Sequence, residues 1–100
     1  MSPRPPVAAE FRFLLYVADD TQNSGVAVAN LKALCESHLP GRHEIEIVDV
    51  FKQPERALAD HIYLTPTLIR LAPSPVRRIV GTLSQGERVL HALGLEPIAV

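Results

Sequence analysis

The feature that most constrains the fold is an almost uninterrupted apolar segment near the beginning of the chain, FRFLLYVA at residues 11–18. It is followed by DDTQNS, a cluster of polar residues that favour turns. An apolar run of this length is typical of a strand that is covered on both faces, as in a parallel or mixed sheet. The sequence therefore favours an α/β fold.

The segments that follow alternate between helix and strand patterns. Apolar residues at three- and four-residue spacing predict a helix that begins with Asn23 or Ser24 as its N-cap and ends before Pro40-Gly41. HEIEIVDV, residues 43–50, predicts a second strand, and PERALADH predicts a short helix that starts at its proline. TPTLIRL and VRRIVG, joined by APSP, predict a β-hairpin.

The segment from residue 84 to residue 93 carries the clearest local helix signal. It opens with SQGE at Ser84, an S-x-x-E capping box that would satisfy the free amides of a helix start. Gly94 follows as a left-handed C-terminal cap, and Leu95 is placed to pack back on Leu90 as in a Schellman motif. The resulting order β-α-β-α-β-β-α with a mixed sheet is the thioredoxin-like layout.

The chain divides into one domain and two short tails. We predict a proline-rich, flexible N-terminal tail at residues 1–10, a thioredoxin-fold domain at residues 11–95 and a short C-terminal tail at residues 96–100. One hundred residues are enough for a single modest core. No apolar run approaches the roughly 20 residues needed to span a bilayer, and the start lacks the apolar core of a signal peptide. We therefore expect a cytoplasmic protein that does not enter a membrane.

Composition argues against nucleic acid as a partner. The net charge is −1, whereas proteins that bind nucleic acid by general electrostatics carry a strong basic excess. Aromatic residues make up 5% of the chain and tryptophan is absent, so stacking platforms for single strands are not expected.

Catalytic and metal chemistry also find little support. Cys35, the only cysteine, falls on the apolar face of the first helix, and the loop after the first strand has no redox nucleophile. Asp19 and Asp20 in that loop fit a turn or capping role better than acid–base chemistry or a cation site. The four histidines show no metal-ligand spacing, and no phosphate-binding glycine motif occurs, so we predict no metal and no cofactor.

The prolines and arginines near the hairpin are the candidates for conformational control and binding. Pro66 stands where thioredoxin-like folds commonly have a cis-proline, and a cis X-Pro bond can act as a slow latch. Arg77 and Arg78 are neighbours on one strand, so their side chains leave on opposite faces of the sheet. We expect one of them to have a structural role and the other to contact an acidic partner surface.

Four blocks of the sequence point to a known family. LYVADDTQNS, IVDVFKQPERA, TPTLIRLAPSPVRRIVG and LSQGERVL resemble the KaiB family of bacterial clock proteins, and the match runs from about Phe11 to Leu95. The resemblance implies a thioredoxin-like fold, no enzymatic activity and, as partner, a KaiC-like hexameric RecA-type ATPase. It also implies KaiA or the sensor domain of a histidine kinase as further partners, and it is compatible with a homo-dimer or homo-tetramer.

The resemblance leads to a hypothesis about the contact residues. We expect the ATPase to be bound by the end of the second strand and the start of the helix after it, together with Arg77 or Arg78. The candidates are Glu44, Glu46, Asp49, Lys52, Arg77 and Arg78. Family members can refold their C-terminal half, and the strong helix signals at residues 84–93 predict that this chain favours the thioredoxin-like state.

Two alternative functions stay open on the sequence. The first is a cysteine-free thioredoxin-like protein that keeps a peptide-binding groove beside Pro66. The second is a sensor module, made as a separate chain, that acts with a histidine kinase.

Overall fold

Seven elements follow one another in the predicted order. The computed structural model describes residues 10–18 and 21–95. Its elements are β1 (Phe11–Val17), α1 (Gln22–His38), β2 (His43–Asp49), α2 (Pro54–Ala59), β3 (Thr67–Ala72), β4 (Arg77–Val80) and α3 (Gly86–Ala92). The predicted tails lie outside the described residues except for Glu10, and so do Asp19 and Asp20 with the turn role assigned to them.

The four strands form one mixed sheet in the order β2-β1-β3-β4. β1 pairs in parallel with β2 and antiparallel with β3, and β4 pairs antiparallel with β3 as the predicted hairpin. β1 lies inside the sheet, and its residues Phe13 to Val17 are all buried. The apolar run at the start of the chain is thus a strand covered on both faces, as its composition predicts.

The helices divide between the two faces of the sheet. Phe13, Leu15 and Leu68 point toward α1 and α3 and form the larger core with buried residues of those helices. Leu14, Tyr16 and Ile69 point to the opposite face, where they pack with Val48 and with Ala57 of α2. Among the described elements, the short helix α2 packs on this second face.

The start of α1 differs from the sequence prediction. Thr21, not Asn23 or Ser24, is the N-cap, and its hydroxyl accepts from the Ser24 amide at 3.3 Å. Ser24 is buried inside the first turn, where its hydroxyl oxygen accepts from the Ala18 amide at 3.0 Å. The helix therefore begins earlier because Ser24 is used to bind the end of β1.

The start of α3 also differs, whereas its end agrees. Gln85 is the N-cap without a side-chain hydrogen bond, so the predicted capping box at Ser84 is wrong. The reason is the preceding Leu83, which adopts φ of 64° and is buried in the core. Residues 81–85 therefore form the connection from β4, and the helix begins only at Gly86. At the other end Leu95 donates to the Leu90 carbonyl at 2.8 Å and Gly94 has φ of 75°, as a Schellman motif requires.

Candidate partner-binding surface

The six candidate contact residues divide between the two edges of the sheet. Four of them lie along β2 or just after it, and two lie on β4, namely Glu44, Glu46, Asp49 and Lys52 on the one side and Arg77 and Arg78 on the other. β2 and β4 are the outer strands, separated by β1 and β3. With about 4.8 Å between neighbouring strands, the two groups are roughly 14 Å apart and do not form one patch.

The two glutamates of β2 lie on the face that carries α2, and each meets an arginine. Glu46 accepts from Arg56 Nη1 at 2.7 Å and from Nη2 at 3.2 Å, and this hydrogen bonding lowers the pKa of the Glu46 carboxyl. Arg12 Nε lies 3.6 Å from Glu44 Oε1. Both pairs are solvent-exposed, so they contribute little to stability and mainly set the charge of this edge.

Asp49 shapes the corner between β2 and α2. Its Oδ1 atom accepts from the Phe51 amide at 2.8 Å, and its carbonyl accepts from the amides of Lys52 at 3.1 Å and Gln53 at 2.9 Å. These bonds form a tight turn before Pro54, which is the first residue of α2. The turn leaves the side chains of Phe51 and Lys52 exposed to solvent.

Large apolar side chains are exposed in the same part of the chain. Phe51 is 72% exposed, Leu58 76%, Tyr63 82% and Leu64 65%. These four and Lys52 are here called the α2 surface. These four side chains fall within 14 residues of the sequence, and exposed apolar clusters mark interaction sites.

The sequence prediction missed the apolar part of this surface, although a signal was present. Ala57 is buried against the sheet, and Leu58 is the next residue in the helix. Because successive helical residues are about 100° apart, a short helix that buries Ala57 turns Leu58 toward solvent.

A buried tyrosine and an arginine hold the end of α2 to the sheet. The Tyr16 hydroxyl donates to Asp60 Oδ2 at 2.5 Å and lies 3.1 Å from the Arg56 carbonyl oxygen. Burial, reinforced by the Asp60 carboxylate, raises the pKa of Tyr16 to about 12. Arg78 donates to the carbonyls of Asp60 and His61. Both Arg77 and Arg78 are exposed, and Arg78 is the one whose side chain contacts the end of α2. The division of the pair into a structural and a binding arginine stays a prediction.

Comparison with known proteins adds the family. The family model of the KaiB domain matches residues 14–95. The chain belongs to the KaiB family. Among its KaiB relatives, the circadian clock oscillator protein KaiB of Prochlorococcus marinus subsp. pastoris is 47% identical over 81 residues, which cover 81% of this chain and 76% of that protein. The circadian clock protein KaiB3 of Synechocystis sp. is 40% identical over 83 residues, covering 83% and 81% of the two chains.

Solved structures give this KaiB chain its fold class. The N-terminal domain of Synechococcus elongatus SasA has a TM-score of 0.70 at 19% identity and covers 99% of this chain and 97% of its own. The Drosophila thioredoxin Deadhead has a TM-score of 0.68 at 14% identity, covering 85% of this chain and 79% of its own. The fold is therefore thioredoxin-like, as predicted.

The cysteine of this KaiB chain is unlike a redox thiol. Cys35 is fully buried in α1. Burial, with a smaller contribution from nearby Glu36, raises its pKa to about 11. A thiol-disulfide enzyme needs the opposite, a lowered pKa and an accessible thiolate.

Pro66 lies at the start of β3, where its carbonyl accepts from the Gly81 amide at 2.9 Å. The Thr65–Pro66 peptide bond is cis, as are Ala72–Pro73 and Ser74–Pro75. The role of Pro66 as a latch stays a prediction.

Two further features bear on ligands. Within residues 10–18 and 21–95, no group of three or more His, Cys, Asp or Glu side chains is placed to hold a metal ion. In the same described ranges no helix is long and apolar enough to cross a membrane.

Proposed function

We propose that this KaiB-family chain is a non-enzymatic regulator that binds a KaiC-like hexameric RecA-type ATPase through the α2 surface, in a clock or in signalling derived from one. Membership of the KaiB family supports the partner class. The observation that carries the choice of surface is the exposure of Phe51, Leu58, Tyr63 and Leu64 around α2. Burial of these side chains against a partner would supply the apolar centre that specific interfaces have.

The charged residues beside this apolar centre fit a polar rim. Lys52 follows Phe51 directly, and Asp49 fixes the turn that exposes both. Glu44 and Glu46 lie further along β2, where their arginine partners restrain them. Rim charges of this kind tune the association rate and the specificity more than the affinity. Arg77 and Arg78 lie on the opposite edge of the sheet, and only the Arg78 side chain reaches the end of α2. We therefore centre the proposed contact on β2 and α2.

Point variants of the α2 surface test this proposal. Affinity for a KaiC-like ATPase from the same genome is measured by biolayer interferometry in the presence of ATP. We expect Leu58→Ser to weaken binding by about tenfold or more, because a central apolar contact is lost. Lys52→Glu is expected to weaken it by several-fold, as for a rim charge.

The matched control is Lys32→Glu, the same charge reversal at an exposed position of α1. It should leave the affinity unchanged. Far-UV spectra of all three variants should equal that of the wild type, since none of the changed side chains is buried. Unaltered affinity in both Leu58→Ser and Lys52→Glu, with native spectra, would count against this surface.

The absence of enzymatic activity is part of the proposal and has its own test. The buried Cys35 with its raised pKa supports a protein without thiol chemistry. A thiol-disulfide reductase assay should give no turnover above a Cys35→Ala control. Robust turnover that depends on Cys35 would favour the alternative of a thioredoxin-like redox protein.

KaiA and the sensor domain of a histidine kinase are proposed as secondary partners, on family grounds alone. A gene neighbourhood that contains such a kinase and no KaiC-like ATPase would favour a sensor module over an ATPase regulator. Action in the cytoplasm stays a prediction.

A further inference from the structure

Within residues 10–18 and 21–95, no strand lies beside the outer edge of β4, so this edge has open backbone groups. β4 is the outer strand of the sheet on the side opposite to β2. The Gly81 amide bonds the Pro66 carbonyl, and this bond fixes which β4 residues exchange hydrogen bonds with β3. Because these pairs alternate along an antiparallel ladder, Ile79 and Arg77 bond to β3, whereas the N–H and C=O groups of Arg78 and Val80 point outward.

A groove runs beside this edge. It lies between β4 and α3, and its volume is about 410 Å³. Its lining combines an apolar floor with a polar rim, formed by Ile79, Leu83 and Val89 and by Ser84, Gln85 and Arg88. Val80 at the edge and Val76 before the strand are more than half exposed. An extended peptide could therefore bond the strand edge and place alternate side chains on an apolar surface.

The described charged side chains on β4 and in the lining of the groove are arginines. Between residues 61 and 86 the chain contains no aspartate or glutamate, whereas it contains Arg70, Arg77 and Arg78. Arg88 adds a fourth guanidinium on the groove wall, and Glu87 is the first carboxylate after this interval. Arg70 is buried and donates to the carbonyls of Leu93 and Pro75, so its charge has no carboxylate partner among its hydrogen bonds.

We propose that the β4 edge is a docking site for an extended acidic segment of a partner protein, which adds to the sheet as a fifth strand. The outward groups of Arg78 and Val80 bond its backbone, and Arg77 and Arg88 bind its carboxylates. Arginine suits this role because its planar guanidinium makes paired hydrogen bonds to a carboxylate. The groove lies on the α3 face of the sheet and the α2 surface on the opposite face, although the Arg78 side chain reaches the end of α2. The two peptide probes below contain no ATPase, so they test this site without reference to the proposed ATPase contact.

A second copy of this chain fits the edge less well. Antiparallel pairing of two β4 edges would bring the arginines of both copies together, and like charges across a strand pair are destabilising. Pairing of β4 with β2 of another copy would bring Glu46 close to the arginines at the small cost of its exposed pair with Arg56, so this dimer is one of the outcomes tested below.

Two peptide probes test the proposal on the full chain. One is a fluorescein-labelled octapeptide in which valine alternates with glutamate, and the other has lysine at every glutamate position. We expect saturable binding of the glutamate probe by fluorescence anisotropy, and binding of the lysine probe weaker by about tenfold or more because its charges repel the arginines. Amide shifts on adding the glutamate probe should concentrate at residues 76–80 and 88–89 and spare β2.

Variants then separate the backbone from the charge contribution. Val80→Pro removes one outward N–H and leaves the hydrogen bonds to β3 intact, a change that edge strands tolerate. It should lower the affinity for the glutamate probe about fivefold or more. The double variant Arg77→Glu, Arg88→Glu should lower the affinity for the glutamate probe about tenfold or more. Lys32→Glu, the matched control, should change the affinity less than about twofold.

Several results would overturn the proposal. They are equal binding of the two probes, absence of saturable binding up to about 1 mM, shifts centred on β2, or insensitivity to both the proline and the arginine changes in variants with native far-UV spectra. A concentration-dependent dimer that Val80→Pro dissolves would also overturn it, because the edge would then serve a second copy.

Discussion

Tyr16 and Cys35 are weak acids that the fold keeps protonated. Burial is the main cause for both groups, and it raises the pKa of Tyr16 from 10.0 to about 12 and that of Cys35 from 9.0 to about 11. The native state therefore holds these protons more tightly than the unfolded chain does. Their contribution to stability is fully present below the unfolded pKa values and is lost as the pH rises through the folded ones.

This linkage predicts that the protein becomes less stable in alkali. The free energy of unfolding, measured by urea denaturation with far-UV detection, should fall from about pH 9 upward, by the order of 1 kcal/mol for each group. Cys35→Ala should move the onset of the fall to higher pH, because the raised pKa of Tyr16 then remains as its cause. A free energy of unfolding that stays constant between about pH 8 and pH 11 would contradict this linkage.

The Tyr16 hydroxyl has a second, pH-independent role in holding α2 to the sheet. Tyr16→Phe removes its bond to Asp60 and should cost about 1–2 kcal/mol at neutral pH, measured by urea denaturation. Tyr63→Phe is the matched control, since Tyr63 is exposed and should change the stability by less than about 0.5 kcal/mol. Equal effects of the two changes would mean that the hydroxyl bond to Asp60 does not stabilise the fold.

At the scale of elements, the sequence predicts which helices and strands exist better than where two helices begin. The periodicity of α1 and the Schellman signal at Gly94 depend on residues within one turn, and the structure agrees with both. The caps depend on the neighbouring elements. Thr21 caps α1 because Ser24 is used by the end of β1, and Ser84 is bypassed because burial of Leu83 delays α3.

The observed helix caps lead to a prediction for one threonine variant and one serine variant. Thr21→Ala should destabilise the protein by about 1 kcal/mol, because the hydroxyl that accepts from the Ser24 amide is lost. Ser84→Ala should stay within about 0.5 kcal/mol. The free energy of unfolding of both variants is measured by chemical denaturation. A larger loss in Ser84→Ala than in Thr21→Ala would support the capping box at Ser84 and contradict the caps described above.

Two glycines should respond to alanine in opposite directions. At Gly94, φ is 75° and an added Cβ would lie 3.0 Å from Arg70 Nη1, so Gly94→Ala should lower the midpoint of thermal unfolding and cost more than about 1 kcal/mol. At Gly25, inside α1, nothing lies within 4 Å of the added Cβ, and Gly25→Ala should stabilise by roughly 0.5–1 kcal/mol. A stabilised Gly94→Ala variant would contradict the geometry of the α3 end.

At the scale of the whole molecule, strand order decides what local patterns cannot. The hypothesis joined Glu46 and Lys52 with the arginine pair, but the sheet puts two strands between them. Opposite faces for Arg77 and Arg78 follow from strand geometry alone, whereas the Arg78 contacts with Asp60 and His61 depend on where α2 ends. Exposure of Leu58 and Tyr63 likewise depends on how the short helix α2, which buries Ala57, packs on the sheet.

The helix α3 at Gly86–Ala92 belongs to the thioredoxin-like state of the C-terminal half. We propose, from its C-terminal cap and the burial of Val89 and Leu90, that the chain favours this thioredoxin-like state in solution more than clock members do. Backbone chemical shifts of the isolated protein should be helical over residues 86–92. Strand-type shifts there in the major species would contradict this balance.

A single pull-down shows whether the α2 surface binds a KaiC-like ATPase. Tagged wild-type protein and Leu58→Ser are incubated with native lysate, with and without ATP, and the bound proteins are identified by mass spectrometry. We expect wild type to recover a RecA-like ATPase in a nucleotide-dependent manner and Leu58→Ser to lose it while keeping a native far-UV spectrum. Recovery of a histidine kinase alone, of nothing above background, or of equal ATPase by both proteins would contradict it.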